Sequence, residues 1–256
     1  MAVLTDARPV ALVTGARRDI GAAIATGLAA DGYDLALHHL DDAEETSRVA
    51  ALCEELGART LLVQADLGDP SQVAACVPAV LAGLGRLDAL VNNAVRPSNV
   101  PWDEVDLEEW QATLTVGLTA PFLLSQGAAR AMREQGGGRI VNISSVTVRL
   151  GGPSGVAYVA AKAGLVGMTR SLARQLGPHG VTVNAVSPGA VRTTNEAELY
   201  GPDAQEQLDR ELLEKQALQR RLHPDDIAGA VRYLCSAAAE AVTGQVLEVN
   251  GGWLSR

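Results

Sequence analysis

The chain has 256 residues, 47% hydrophobic and 20% charged, so it is neither a mini-protein nor a disordered tail and has the length for one large α/β domain. Twenty-one basic residues against thirty acidic ones give a net charge of −9, which leaves no positive field to attract phosphate backbones, and nucleic acid is not an expected partner. Nineteen of the basic residues are Arg and only two are Lys, at 162 and 215, which singles out those two positions.

In chain order, short apolar runs of strand length fall at 9–14, 33–39, 59–65, 87–92, 138–144, 180–186 and 245–249. Between them, amphipathic stretches predict helices at about 20–31, 43–57, 70–84, 105–135, 157–177, 196–217 and 224–237, several opened by Asp, Ser or Pro and closed by Gly. Apolar strands separated by helices imply parallel βαβ units in a doubly wound sheet, and residues 1–256 read as a single domain. The acidic patch 41–45 opens a helix, where carboxylates suit the positive end of the dipole. Residues 194–222 are polar and poorly patterned, and are expected to form a lid over a site.

Cys53, Cys76 and Cys235 are widely spaced in apolar settings and read as buried free thiols. The four His show no metal-ligand spacing, so no metal is expected. Residues 1–15 lack the pattern of a signal peptide, and the longest uncharged stretch, 111–129, is interrupted by Thr, Gly, Pro, Ser and Gln. A cytoplasmic protein with no membrane partner is the expectation.

Five segments carry candidate chemistry, four at the expected carboxyl ends of strands and one on a helix. The turn Thr14-Gly15-Ala16-Arg17-Arg18-Asp19-Ile20-Gly21 joins the first strand to the first helix, where Gly admits a ligand close to the backbone and free N–H groups bind phosphate. Tyr158 and Lys162 share one helical face at i,i+4 spacing, so an ammonium sits near a phenol and favours its ionised form. With four Tyr and two Lys, that spacing arises by accident about three times in a hundred. Ser144 and Ser145, Asn92 and Asn93, and the Pro188-Gly189 turn end three further strands, and ligands of open α/β sheets bind beyond such ends.

The ordered set TGARRDIG, Asp66 in ADLGD, NNA, Ser145 thirteen residues before Tyr158, YVAAK, NAVSPGAVRT and TGQVLEVNGG resembles the short-chain dehydrogenase/reductase family over essentially the whole chain. The resemblance implies a Rossmann-type sheet of about seven parallel strands with helices on both faces, binding NAD(P)H for hydride transfer between nicotinamide and a carbonyl or alcohol carbon. It implies catalytic roles for Ser145, Tyr158 and Lys162: Tyr158 the general acid or base, Lys162 lowering its pKa and holding the nicotinamide ribose, Ser145 bonding the substrate oxygen. Gly15, Arg17, Arg18, Ile20 and Gly21 would surround the pyrophosphate and adenosine ribose. Asp66 and Leu67 would hold adenine, Asn93 and Ala94 the adenosine-side ribose region, and Pro188, Gly189, Val191 and Thr193 the nicotinamide carboxamide. Helices 105–135 and 157–177 match those that build the family's oligomers, so a homotetramer or dimer is expected.

Three departures bear on function. Asp19 replaces the middle Gly of the glycine motif, where it reads as a helix N-cap, although a carboxylate near pyrophosphate is unfavourable. Gly117 replaces the family's Asn in the fourth helix, and is expected to permit a kink and leave room for a water. At the end of the second strand, where NAD-linked relatives carry an acid, stands His39, so NADP(H) is favoured over NAD(H). The leading reading is an NADP(H)-dependent reductase of ketones or 3-oxoacyl thioesters acting on a small-molecule substrate. A sugar, polyol or secondary-alcohol dehydrogenase and a catalytically weak nucleotide-binding sensor remain alternatives. Arg96, Trp102 and Arg149 are candidate substrate contacts.

Overall fold

The computed structural model describes residues 8–98, 100–152, 154–194, 196 and 202–254. In chain order the elements are β1 (Val10–Val13), α1 (Asp19–Ala30), β2 (Asp34–His39), α2 (Ala43–Glu55), β3 (Thr60–Gln64), α3 (Pro70–Leu84), β4 (Ala89–Asn92) and α4 (Leu107–Leu114). A π-helical turn (Thr115–Thr119) leads into α5 (Ala120–Gln135), β5 (Gly138–Ile143), α6 (Thr147–Leu150), α7 (Val156–Leu176), β6 (Val181–Pro188), α8 (Pro202–Lys215), α9 (Pro224–Cys235) and β7 (Val246–Val249). The strands form the expected seven-stranded parallel sheet, in the order β3-β2-β1-β4-β5-β6-β7.

Alternation along each strand supplies two cores. Ala11, Val13, Leu35, Leu37, Val91 and Val141 face α1, α2 and α9, whereas Val10, Leu12, Ala36, Leu90, Ile140 and Val183 face α3, α5 and α7. Helix ends follow their caps. Asp42 and Asp69 accept backbone N–H bonds at the starts of α2 and α3, and Gly85, at φ 85°, ends α3 where expected. Cys53, Cys76 and Cys235 are buried free thiols. Among the described residues no helix is long and apolar enough to cross a membrane.

Two expectations change. The single helix expected at 105–135 is two helices joined by the π turn, which is centred on Gly117. The stretch expected helical at 196–217 contains α8; Asn195 and residues 197–201, part of the expected lid, lie outside the described residues. The base of the excursion is closed by pairing of Val191 with Leu222 and by the Arg192 N–H bond to the Leu222 carbonyl at 2.9 Å. Inside it the buried Arg221 grips Glu196 through two bonds of 2.8 and 3.0 Å and also pairs with Asp209.

Because the chain turns one way from β1 to β2 and the other way from β4 to β5, the carboxyl ends of β1 and β4 part into a crevice. Its walls are held by side chains bonding to backbone. Thr14 Oγ1 accepts from the Asn93 and Ala94 amides at 2.9 and 3.0 Å, and Asn93 Nδ2 donates to the Thr14 and Gly15 carbonyls at 2.9 and 3.1 Å. His38 bridges the glycine turn to β3, Nδ1 accepting from the Gly15 amide at 3.1 Å and Nε2 donating to the Ala65 carbonyl at 3.0 Å. Those partners require the neutral Nε2–H tautomer. Burial lowers the His38 pKa to about 4.

Below the ordinary value of 6.5 the unfolded chain takes up a proton that the folded His38 refuses, so stability is lost as pH falls from about 6.5 towards about 4. The expected increment is about 3 kcal/mol over that window. In urea titrations at pH 7 and 4.5, His38→Asn, which keeps an acceptor for Gly15 but does not titrate, should show a correspondingly flatter pH dependence than the wild type. A second expectation concerns the π turn: a Cβ at Gly117 would lie 2.9 Å from the Ala161 Cβ. Gly117→Asn should therefore lower stability by about 1–3 kcal/mol through overpacking, measured by the same titration at pH 7.

Candidate functional site

Helix α7 is fixed at its start by the Gly155 amide, which donates to the Ser98 carbonyl at 3.1 Å, an approach so close that a Cβ there would lie 2.4 Å from that oxygen. One turn on, Tyr158 and Lys162 lie on the same face, with Lys162 Nζ 5.7 Å from the phenol ring centroid. Lys162 is only 3% exposed, and its Nζ donates to the Ile143 carbonyl at 2.7 Å. The next residue of the strand end, Ser144, donates its hydroxyl to the Lys162 carbonyl at 3.0 Å, so β5 and α7 are stitched at consecutive positions. Deeper in the same seam, Asn92 donates to Asn142 at 2.8 Å and Asn142 to Thr169 at 2.9 Å, a buried polar ladder across β4, β5 and α7.

Ser145 lies close enough to Tyr158 for its hydroxyl to act on the phenol. Ser145 Oγ accepts from the Thr147 amide at 3.2 Å and from Thr147 Oγ1 at 2.9 Å. With both acceptor directions engaged, the Ser145 proton is the group left to donate outward. Burial pushes the Tyr158 phenol above its ordinary value, an effect the neighbouring Ser145 hydroxyl opposes, and burial lowers Lys162 to about 8. The arrangement thus presents a protonated phenol and a serine donor, backed by an ammonium, to an oxygen placed beyond the end of β5. Thr147 and His38 were not singled out from the sequence, because each acts by bonding a neighbour and belongs to no spaced motif.

The glycine turn lies alongside. Gly15 has φ 63° and abuts Ala94, and a Cβ on Gly21 would sit 2.0 Å from the Gly15 carbonyl oxygen. Such a cradle admits no side chains and leaves backbone open to a phosphate. His39 ends β2 as expected, is buried, and its Nδ1 has no hydrogen-bond partner among the described residues. Arg17 reaches Asp42 and Glu45 at 3.4 and 3.8 Å, and Arg18 lies 3.7 Å from Asp19. Ile20 packs against the core, Leu67 is buried, and Asp66 accepts from the Gly68 amide at 2.7 Å at the end of β3. On the far side, Pro188 accepts from the Val146 amide at 2.9 Å, Gly189 backs onto Asn250, and Val191 and Thr193 follow. Crevice, glycine cradle and orphaned His39 nitrogen together fit a dinucleotide lying across the carboxyl ends of β2 to β6.

Two expectations, the Asp19 cap and the room for a water beside Gly117, are corrected by local geometry. Asp19 does not cap α1: its φ is 50° and its carboxylate accepts from the Thr194 amide and hydroxyl at 2.8 and 2.6 Å. The Asn93 side chain braces the turn backbone, and the space beside the Gly117 Cα is filled by Ala161, with no room in that direction for a water. Arg96 and Arg149, candidate substrate contacts, face Glu109 at 2.8 Å and Glu248 at 3.7 Å, and Trp102 is 79% exposed.

Comparison with known proteins agrees with this geometry. A family model described as enoyl-(acyl carrier protein) reductase matches residues 15–254. The 3-oxoacyl-[acyl-carrier-protein] reductase of Synechocystis sp. is 37% identical over 245 residues, covering 95% of this chain and 96% of the relative. Acetoin dehydrogenase YohF from Salmonella typhimurium superposes with a TM-score of 0.86 at 35% identity, covering 96% of both chains. A structure from Beutenbergia cavernae, described as an NAD(P)-dependent gluconate 5-dehydrogenase with NADP bound at low occupancy, superposes with a TM-score of 0.89 at 39% identity, covering 98% of this chain and 99% of that one. Full-length similarity of sequence and fold, with Ser145, Tyr158 and Lys162 gathered beside a glycine cradle, has one conclusion: the chain belongs to the short-chain dehydrogenase/reductase family.

Proposed function

We propose that the protein is an NADP(H)-dependent reductase that converts a ketone or 3-oxoacyl-like carbonyl into a secondary alcohol. The observation that carries this reading is the convergence of Ser145, Tyr158 and buried Lys162 at the end of β5, beside the cradle of Gly15 and Gly21. When bound, the nicotinamide would supply or accept the hydride. The chain's own residues manage the oxygen: Ser145 donates a hydrogen bond to it and Tyr158 delivers the proton as negative charge develops. The Lys162 ammonium stabilises the phenolate left behind, and its remaining N–H groups would hold the nicotinamide ribose. In alcohol oxidation the same groups run in reverse, the direction of the acetoin and gluconate relatives.

The preference for NADP(H) rests on the end of β2, where His39 stands in the position that an acid takes in NAD-linked relatives. Arg17 is nearby, and its partners Asp42 and Glu45 are exposed pairs at 3.4 and 3.8 Å, worth too little to hold it against a phosphate dianion. Arg18, Asp66, Leu67 and Thr193 complete the proposed contacts. Exposed Trp102, Leu107 and Phe122 on the α4–α5 side are suited to burial against a second copy, in keeping with a homotetramer in the cytoplasm, where the three buried thiols stay reduced. The excursion at 194–222 would serve as the substrate lid of a single-domain enzyme.

Initial rates with NADPH and NADH against a panel of ketones, β-ketoesters and sugars test the reading. NADPH should be preferred, and Arg17→Ala should raise the KM for NADPH about tenfold while changing that for NADH far less. A strong preference for NADH overturns the cofactor assignment, and tight nucleotide binding without turnover of any carbonyl favours a sensor. Tyr158→Phe should lower kcat by about 10²–10⁴-fold with little change in nucleotide affinity. Because Lys162 sits at about 8 and Tyr158 above its usual value, kcat/KM for reduction should be level near neutrality and fall as pH rises through about 8, where the ammonium is lost. A profile from pH 6 to 10 reads this directly.

A further inference from the structure

Asp19 is the one non-glycine residue with a positive φ among the described residues, at 50°, in the middle of the glycine turn. A glycine would adopt that backbone without strain, and an uncompensated carboxylate beside a pyrophosphate is repelled. Something must therefore favour Asp here, and an observed outlier of this kind is a reason to look for function. The compensation is visible. Asp19 Oδ1 accepts from both the amide and the hydroxyl of Thr194, at 2.8 and 2.6 Å, across 175 positions of sequence, while Oδ2 lies 3.7 Å from Arg18 Nε.

Thr194 immediately follows Thr193, on the segment that leaves the end of β6, whereas Asp19 stands at the turn that leaves the end of β1. These are the two walls between which a dinucleotide lying across the strand ends must pass. Thr193 Oγ1 accepts from the Glu196 amide at 3.3 Å, and Val191 is held to Leu222, so the Thr193–Thr194 wall is itself braced by partners other than Asp19. A bond between two braced walls acts as a strap across the cleft. We propose that Asp19 is a positioning residue that ties the phosphate-binding turn to Thr194 and, resting on the functional reading above, retains the bound dinucleotide by resisting separation of the walls. The same two donors turn the carboxylate towards Thr194, which lets an acid occupy a glycine position of a phosphate-binding turn.

The test compares wild type, Asp19→Gly, Asp19→Asn and Thr194→Val by stopped-flow dissociation of NADPH and of NADH, followed by nucleotide fluorescence, with hydrogen exchange at the Thr194 amide in nucleotide-free protein. Asp19→Gly is free of backbone strain at φ 50° and should release nucleotide about tenfold faster, with loss of Thr194 protection. Asp19→Asn keeps the acceptor oxygen without the charge, and should release no faster than wild type and preserve protection. Thr194→Val loses only the hydroxyl bond and should release about threefold faster. Unchanged or slower release from Asp19→Gly, or equal acceleration in Asp19→Gly and Asp19→Asn, overturns the strap while leaving the functional reading intact. Binding of neither nucleotide to the wild type overturns the functional reading and the strap with it.

Discussion

A buried ammonium sets the terms for the rest of this structure. Removing a Lys side chain from water carries a large desolvation cost, and Lys162, 3% exposed, meets that cost with a short bond to the Ile143 carbonyl and a position against the Tyr158 ring. The bond can form only where β5 ends, because within the sheet its carbonyls belong to the ladder with neighbouring strands. The end of β5 and the second turn of α7 are thereby locked in register. Ser144 adds a second stitch, and Ser145, the next residue, is delivered to the phenol. Position and chemistry have the same cause.

The second constraint is topological. Parting of β1 and β4 leaves backbone groups at two strand ends without sheet partners, and the protein satisfies them with Thr14, Asn93 and His38. Each of these side chains faces backbone, so the crevice keeps its shape without a ligand. A rigid cradle lowers the ordering cost of binding a long flexible nucleotide. The neutral state of His38 is part of that rigidity, since protonation would set two donors against one another at Gly15.

Departures from the family pattern are each absorbed by a neighbour. Gly117 gives up a side chain at the π turn, and Ala161, on the same helix as Tyr158 and Lys162, closes against it. The π turn survives because it is a property of the backbone path. Asp19 brings a charge and a strained φ into the glycine turn, and Thr194 supplies the donors that offset both. Arg96 and Arg149, candidate substrate contacts in the sequence, each reach a carboxylate distant in the chain.

Strand and helix placement, the parallel doubly wound sheet and the Tyr158–Lys162 pair were legible from the sequence, because each rests on short-range information: apolar period, caps, or an i,i+4 spacing on one helix; the role of Ser145 came from the family resemblance alone. The scarcity of Lys was legible for the same reason, and a guanidinium would not fit where Lys162 meets the Ile143 carbonyl. What only the tertiary structure decided concerns partners far apart in sequence: His38 with Gly15 and Ala65, Asp19 with Thr194, Arg96 with Glu109, Gly117 with Ala161. A side chain's hydrogen-bonding capacity is written in its residue type, but which group satisfies it depends on the packing that brings distant segments together.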